Sequence, residues 1–192
     1  ASGSMDDPMG SGDNTKRIDA LKAAANSFID EIAKQNASIS DPAQQHQVSL
    51  VKFAGKKSNQ VGNNTYREGG YTYNYSQVMK DLTSCVGSLA DDLRSTVNAI
   101  KPAGATQADY GLELADGQTS GRENAKKIVV FFTDGSPTSS NGFESGVASS
   151  AVTAAKSMKD AGATIYSVGI FSGANPAPDP TNSGTSRENK FM

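Results

Sequence analysis

The sequence predicts an α/β protein built on a doubly wound, mostly parallel sheet with one antiparallel edge strand. Three observations predict it. Two continuous apolar runs, 127–132 and 163–171, have the length and composition of strands in a parallel sheet. Segments with helical periodicity lie before and between them, which gives the strand–helix alternation of doubly wound folds. Two strand signals also follow one another directly, near residues 46–54 and 71–82, so one strand runs antiparallel at an edge.

From Lys16 to Gln35, the residues Ile18, Leu21, Ala25, Phe28, Ile29 and Ile32 recur at three- and four-residue intervals. This predicts an amphipathic helix, with Asp13 and Asn14 as N-cap candidates. Asp41-Pro42 ends the pattern. His46 to Ala54 then alternates through Val48 and Leu50 toward Phe53, a strand signal. Residues 55–70 are polar, with Gly62-Asn63-Asn64 and Gly69-Gly70 as turns. Tyr71, Tyr73 and Tyr75 stand at period two and predict a second strand, Tyr71 to Leu82, returning through a long hairpin. Such an aromatic face suits a half-buried edge strand; a platform for stacking carbohydrate is the sharper alternative.

Val86, Leu89, Leu93, Val97 and Ile100 predict the next helix, stopped by Pro102 and Gly104, and a short helix follows from Ala108 to Asp116. The run 127–132 predicts a strand buried on both faces, ended by Asp134-Gly135. Glu144 to Asp160 is an Ala-rich helix carrying Val147, Ala151, Val152, Ala155 and Met158, and Ala163 to Phe171 is a second buried strand. Residues 172–185 predict an exposed loop, and Ser186 to Met192 resembles a helix just starting.

Length and charge narrow the function. At 192 residues the chain predicts one domain, 1–192. With 18 basic against 20 acidic side chains, its net charge of −2 gives no electrostatic footprint for nucleic acid. No apolar run reaches the ~18–20 residues of a membrane span. One cysteine, Cys85, and one histidine, His46, exclude an internal disulfide and a Cys/His metal cluster. Cys85 fits a small buried apolar position. A hydrolase is the least favoured class, because no base is placed for a serine nucleophile. The beginning, Ala1-Ser2-Gly3-Ser4-Met5, has the look of the middle of a longer protein.

In doubly wound sheets, ligands bind where loops leave the C-terminal ends of strands. Three segments there carry small hydroxyls or a carboxylate among glycines. They are Ala1-Ser2-Gly3-Ser4-Met5, Gly104-Ala105-Thr106-Gln107 and Thr133-Asp134-Gly135-Ser136. Oxygens of this kind converging on one point suit a hard cation such as Mg²⁺, which takes about six oxygens and retains waters. Taken singly, each residue has a plainer role. Asp134 can serve an Asp-Gly turn, Ser2 and Ser4 can cap or make turns, and Thr106 can cap the helix at Ala108. Asp6, Asp7 and Asp109 lie nearby as outer charge or solvated surface.

Together, the three segments resemble the metal-binding loops of a von Willebrand factor type A domain. In that family the first loop is Asp-x-Ser-x-Ser, the second carries a Thr in a Gly-rich turn, and the third an Asp in Thr-Asp-Gly. Ser2 and Ser4, Thr106 and Asp134 match those positions. The resemblance implies a metal-ion-dependent adhesion site. Ser2, Ser4 and Thr106 would lie on the ion and Asp134 would join directly or through water; Mg²⁺ is expected, or Mn²⁺ or Ca²⁺. It also implies a fold incomplete at both ends. The first-loop Asp and its strand would stand before Ala1, and a last strand and helix after Met192.

Phe131-Phe132-Thr133-Asp134-Gly135-Ser136-Pro137-Thr138, the Tyr-rich hairpin and the Ser186–Met192 tail are most similar to type A domains of surface adhesins and pilus-tip proteins of Gram-positive bacteria. The resemblance implies a binding module and not an enzyme. Such a module, at the cell surface or cell wall, would capture a protein ligand through an exposed Asp or Glu, with host extracellular matrix as one source. Two alternatives remain open: an intracellular subunit of a chelatase or ATPase-type complex, and a pilus scaffold whose metal site is vestigial.

Overall fold

The computed structural model describes residues 1–192 apart from Ser11, Ser120, Glu123 and Ser172. The order of elements is a 3₁₀ turn (Gly3–Asp6), β1 (Pro8–Gly10), β2 (Asp13–Lys16), α1 (Arg17–Asn36), β3 (Gln47–Lys52), β4 (Thr65–Glu68), β5 (Tyr71–Asn74), β6 (Gln77–Ser84), α2 (Gly87–Asn98), α3 (Ala108–Asp116), β7 (Ile128–Thr133), α4 (Ser145–Asp160), β8 (Thr164–Gly169) and α5 (Arg187–Phe191). The predicted α/β alternation is present, and each predicted helix lies within a few residues of its expected span.

Two strand pairs carry the fold. β7 and β8 are parallel, joined through α4 as a βαβ unit, with Ile128 opposite Thr164 and Thr133 opposite Gly169. β3 and β6 are antiparallel, with irregular register between Val48 and Val51. These pairs do not hydrogen-bond to one another. Between them lies a cleft of about 1680 Å³, bordered by Leu50 and Val51 on one side and by Val129 and Phe131 on the other. A strand running between β3 and β7 would join the two pairs into one sheet.

The core is divided accordingly. Val48 and Leu50 of β3 pack on a cluster of Ile29, Cys85, Ala90, Leu93 and Val97, which buries α1 against α2. Phe53 instead joins Ala108, Leu112, Phe131, Ala151 and Met158, the cluster beneath α3 and α4. Side chains alternate faces along extended chain. The two clusters therefore cover opposite faces of the β3 segment, as a doubly wound layer requires. Cys85 is fully buried there and its thiol reaches the Ile29 carbonyl, in keeping with an apolar role.

Three sequence expectations need correction. Tyr71–Leu82 is two strands, interrupted at Tyr75 and Ser76, where Ser76 bridges to Lys57. Tyr71–Asn74 pairs with Thr65–Glu68 in a tight hairpin, and only Gln77–Ser84 pairs with β3. The Gly69-Gly70 turn explains this: both residues have positive φ (57° and 85°), the conformation that closes a two-residue hairpin. Asp13 and Asn14 do not cap α1. They lie in β2, Lys16 takes the N-cap position, and Asp13 accepts from the Thr15 amide. The 127–132 run is packed on one face only, since Ile128 and Val130 are exposed while Phe131 is buried. The predicted loop 172–185 is largely exposed and leads into α5, although residue 172 lies outside the described residues.

Candidate metal site

The three sequence-predicted loops are bonded to one another. The first and second are joined backbone to backbone, with Gly3 N donating to Gly104 O at 2.9 Å and Ala103 N to Ala1 O at 3.1 Å. The second and third exchange a reciprocal pair, Thr106 N to Thr138 O at 2.9 Å and Thr138 N to Thr106 O at 3.0 Å. The first and third meet through side chains. Ser2 Oγ donates to Asp134 Oδ1 at 2.8 Å and lies 3.2 Å from Ser4 Oγ.

Ser2, Ser4 and Asp134 therefore form one chain of side-chain contacts, and Thr106 is tied by its backbone to Thr138, four residues beyond Asp134. Ser2, Thr106 and Asp134 are each buried to 4% exposure or less. Capping does not account for Ser2 and Thr106. Gln107, not Thr106, holds the N-cap position of α3, and neither Gln107 nor Ser2 makes a side-chain capping bond.

Two features outside the predicted set hold the loops in place. Gly104 has φ +104°, and a Cβ there would lie 3.1 Å from the Tyr73 ring. Only glycine gives the second loop both that backbone and that approach to β5. Asn74, at the end of β5, ties the first and second loops together: its Nδ2 donates to Lys101 O at 2.7 Å and Ala1 O at 3.2 Å, and its backbone N to Ala103 O. Behind it, Lys52 Nζ donates to Asn63 Oδ1 at 2.6 Å, Asn64 O at 3.0 Å and Asn74 Oδ1 at 3.4 Å. Burial pulls the Lys52 ammonium down to about 8.

The third loop is held by two carboxylates. Glu144 accepts from Thr138 Oγ1, Ser139 N, Ser139 Oγ and Ser140 N, and these bonds, led by Ser139 Oγ, keep its carboxyl below the usual range. Ser136 Oγ donates to Glu188 Oε1 at 2.6 Å, which fastens α5 to the same loop and lowers the Glu188 carboxyl.

Electrostatically, Asp134 is the centre of the site. Its Oδ2 is buried and accepts no hydrogen bond among the described residues. The cation nearest to it in the ion pairs is Arg17, whose Nη1 is 3.6 Å from Oδ2 and donates to Asp134 O at 3.4 Å. A buried carboxylate oxygen without a hydrogen bond is costly unless a cation answers it. Among the described residues no three His, Cys, Asp or Glu side chains gather. The donor set is thus hydroxyls plus one carboxylate, which suits a hard, oxygen-seeking cation and not a soft one.

Asp6 and Asp7 pair with Lys16 and Arg17 as outer charge. Asp109 is buried, not solvated, and burial raises its carboxyl. Arg17 and Asn74 carry no motif: one reads in the sequence as a solvated helix-starting base, the other as an interruption among tyrosines.

Fold and site together define an α/β domain in which three hydroxyl- and carboxylate-bearing loops are hydrogen-bonded to one another. Residues 1–188 match the von Willebrand factor type A domain, and the chain belongs to that family. Among solved structures, the pilus adhesin SpaC from Lactobacillus rhamnosus GG is similar, with a TM-score of 0.58 at 17% identity over 88% of this chain. The match spans 23% of that adhesin's chain. An uncharacterized membrane spanning protein from Vibrio fischeri aligns at a TM-score of 0.37 and 21% identity, over 88% of this chain and 65% of its own. No curated protein matches the sequence.

Proposed function

We propose that this domain is a divalent-cation-dependent adhesion module of a bacterial cell-surface or pilus protein, and that it performs no catalysis. Mg²⁺, or Mn²⁺ or Ca²⁺ in its place, would be held by the hydroxyls of Ser2, Ser4 and Thr106 and by Asp134. The bound ion would supply a Lewis-acidic position for a carboxylate from a protein ligand, with host matrix proteins as one source. The observation that carries this reading is the buried Asp134 Oδ2, which accepts no hydrogen bond among the described residues while Oδ1 accepts from Ser2 Oγ, itself 3.2 Å from Ser4 Oγ.

The chain's own residues have simple tasks. Ser2 orients Asp134, the Gly3–Gly104 bond sets the spacing of two loops, and Glu144 fixes the turn that carries Thr138. The surface assignment draws on the similar fold of a pilus adhesin. No described helix is long and apolar enough to cross a membrane. Calorimetric titration of Mg²⁺ into the full-length chain tests the metal reading. Saturable heat is expected for the wild type and not for Asp134→Ala; equal heat in both would sink it.

A further inference from the structure

We infer that Arg17 is a built-in competitor of the divalent ion for Asp134, and that it weakens metal binding when no acidic ligand is present. The inference rests on the metal reading above and assigns Arg17 a role in regulating that site.

The placement of Arg17 is determined by the chain around it. Arg17 opens α1 immediately after β2, and its backbone N donates to Asp7 O at 3.0 Å across the base of the β1–β2 hairpin. That bond holds the backbone of Arg17, and its guanidinium reaches Asp134 of the third loop. The side chain is 16% exposed and meets an Asp134 side chain that is 2% exposed.

The contact between them is an unfinished ion pair. A finished Arg–carboxylate pair makes two parallel hydrogen bonds near 2.7–2.9 Å. Here Nη1 stands 3.6 Å from Oδ2, and its one hydrogen bond to Asp134 goes to the backbone oxygen at 3.4 Å. Arg17 Nε is buried with no hydrogen-bond partner among the described residues. Arg17 therefore offsets the charge of Asp134 while leaving its Oδ2 able to accept another partner. Asp7 is also near the guanidinium, at 3.8 Å, but is 62% exposed and so well screened.

Charge counting gives the consequence. Ser2, Ser4 and Thr106 are neutral, and Asp134 and Arg17 cancel. A divalent ion entering this set brings two positive charges that these side chains do not balance, at a site with little water to screen them. A ligand carboxylate would supply part of the balance. Ion and acidic ligand should then strengthen one another's binding, and the coupling must be reciprocal. Removing the Arg17 charge should let Mg²⁺ bind better alone.

Calorimetric titration of Mg²⁺ alone into full-length wild type, Arg17→Gln, Arg17→Lys and Asp134→Ala separates the possibilities. Arg17→Gln is expected to bind roughly tenfold more tightly than wild type, Arg17→Lys close to wild type, and Asp134→Ala not at all. A purely structural Arg17 would give weaker binding on substitution, so the sign is diagnostic. Affinity equal to or below wild type in a folded Arg17→Gln overturns the inference and leaves the metal reading intact. Silence in both wild type and Arg17→Gln overturns the two together. Should Arg17→Gln not fold, the Arg17 Nε resonance of wild type decides: it must move as Mg²⁺ is added, and a static signal overturns the inference.

Discussion

Ser2 Oγ lies 2.8 Å from Asp134 Oδ1, closing a contact between two side chains 132 residues apart in sequence. The serine is the only hydrogen-bond donor that the structure gives to Asp134 Oδ1 among the described residues. Ser2→Ala leaves Oδ1 buried without it, at a cost of about 1–3 kcal/mol. Chemical denaturation is expected to show that loss as a lower midpoint with an unchanged slope. Mg²⁺ affinity should fall with it, because a hydroxyl is removed from the site.

Gly104→Val forces a branched side chain onto a residue with φ +104° whose Cβ would stand 3.1 Å from the Tyr73 ring. Strain of this kind costs about 1–3 kcal/mol. In a domain of this size each kcal/mol lowers the Tm by roughly 2–4 °C, so a thermal melt should fall by several degrees. A melt at the wild-type temperature would show that the second loop tolerates another path.

Glu144 provides a pH signature. Its carboxyl titrates below the ordinary value because Ser139 and Thr138 donate to the charged form. The stability it contributes is therefore present above the unfolded value near 4.5 and is lost as pH falls through the lower folded value. Glu144→Gln is expected to melt below wild type at neutral pH, with the two melts converging in acid. A constant difference across that range would contradict the assignment.

Lys52 gives the opposite window. Its ammonium titrates at about 8 in the folded chain, brought down by burial, against 10.5 in the ordinary state. Between those values the unfolded chain binds more protons than the folded one, so this group makes stability rise with pH from about 8 to 10.5. Lys52→Met should remove that rise; the difference in unfolding free energy between wild type and variant, followed across the window, checks it. An unchanged difference would mean that Lys52 titrates normally.

The α/β order, the helices and the three loops were legible in the sequence because periodicity and turn chemistry are local. Asp134 could be picked out because Asp-Gly follows the β7 run, and Ser2, Ser4 and Thr106 because small hydroxyls stand among glycines. Other features depend on long-range contacts. The Tyr71–Leu82 segment is continuous in pattern, yet Gly69-Gly70 commits its first half to β4 while Gln77–Ser84 pairs with β3. Exposure of Ile128 and Val130 follows from which neighbours flank β7, and an apolar run is silent about that. Arg17 and Asn74 act through partners more than 20 residues away in sequence, so their local context marks neither.

The most direct test of the account is a crystal structure of the full-length protein grown with Mn²⁺, examined at the manganese absorption edge. The account predicts one anomalous peak within about 2.0–2.2 Å of Ser2 Oγ and Ser4 Oγ, with Thr106 and Asp134 completing its surroundings directly or through water. A peak elsewhere, or none at saturating Mn²⁺, would contradict it.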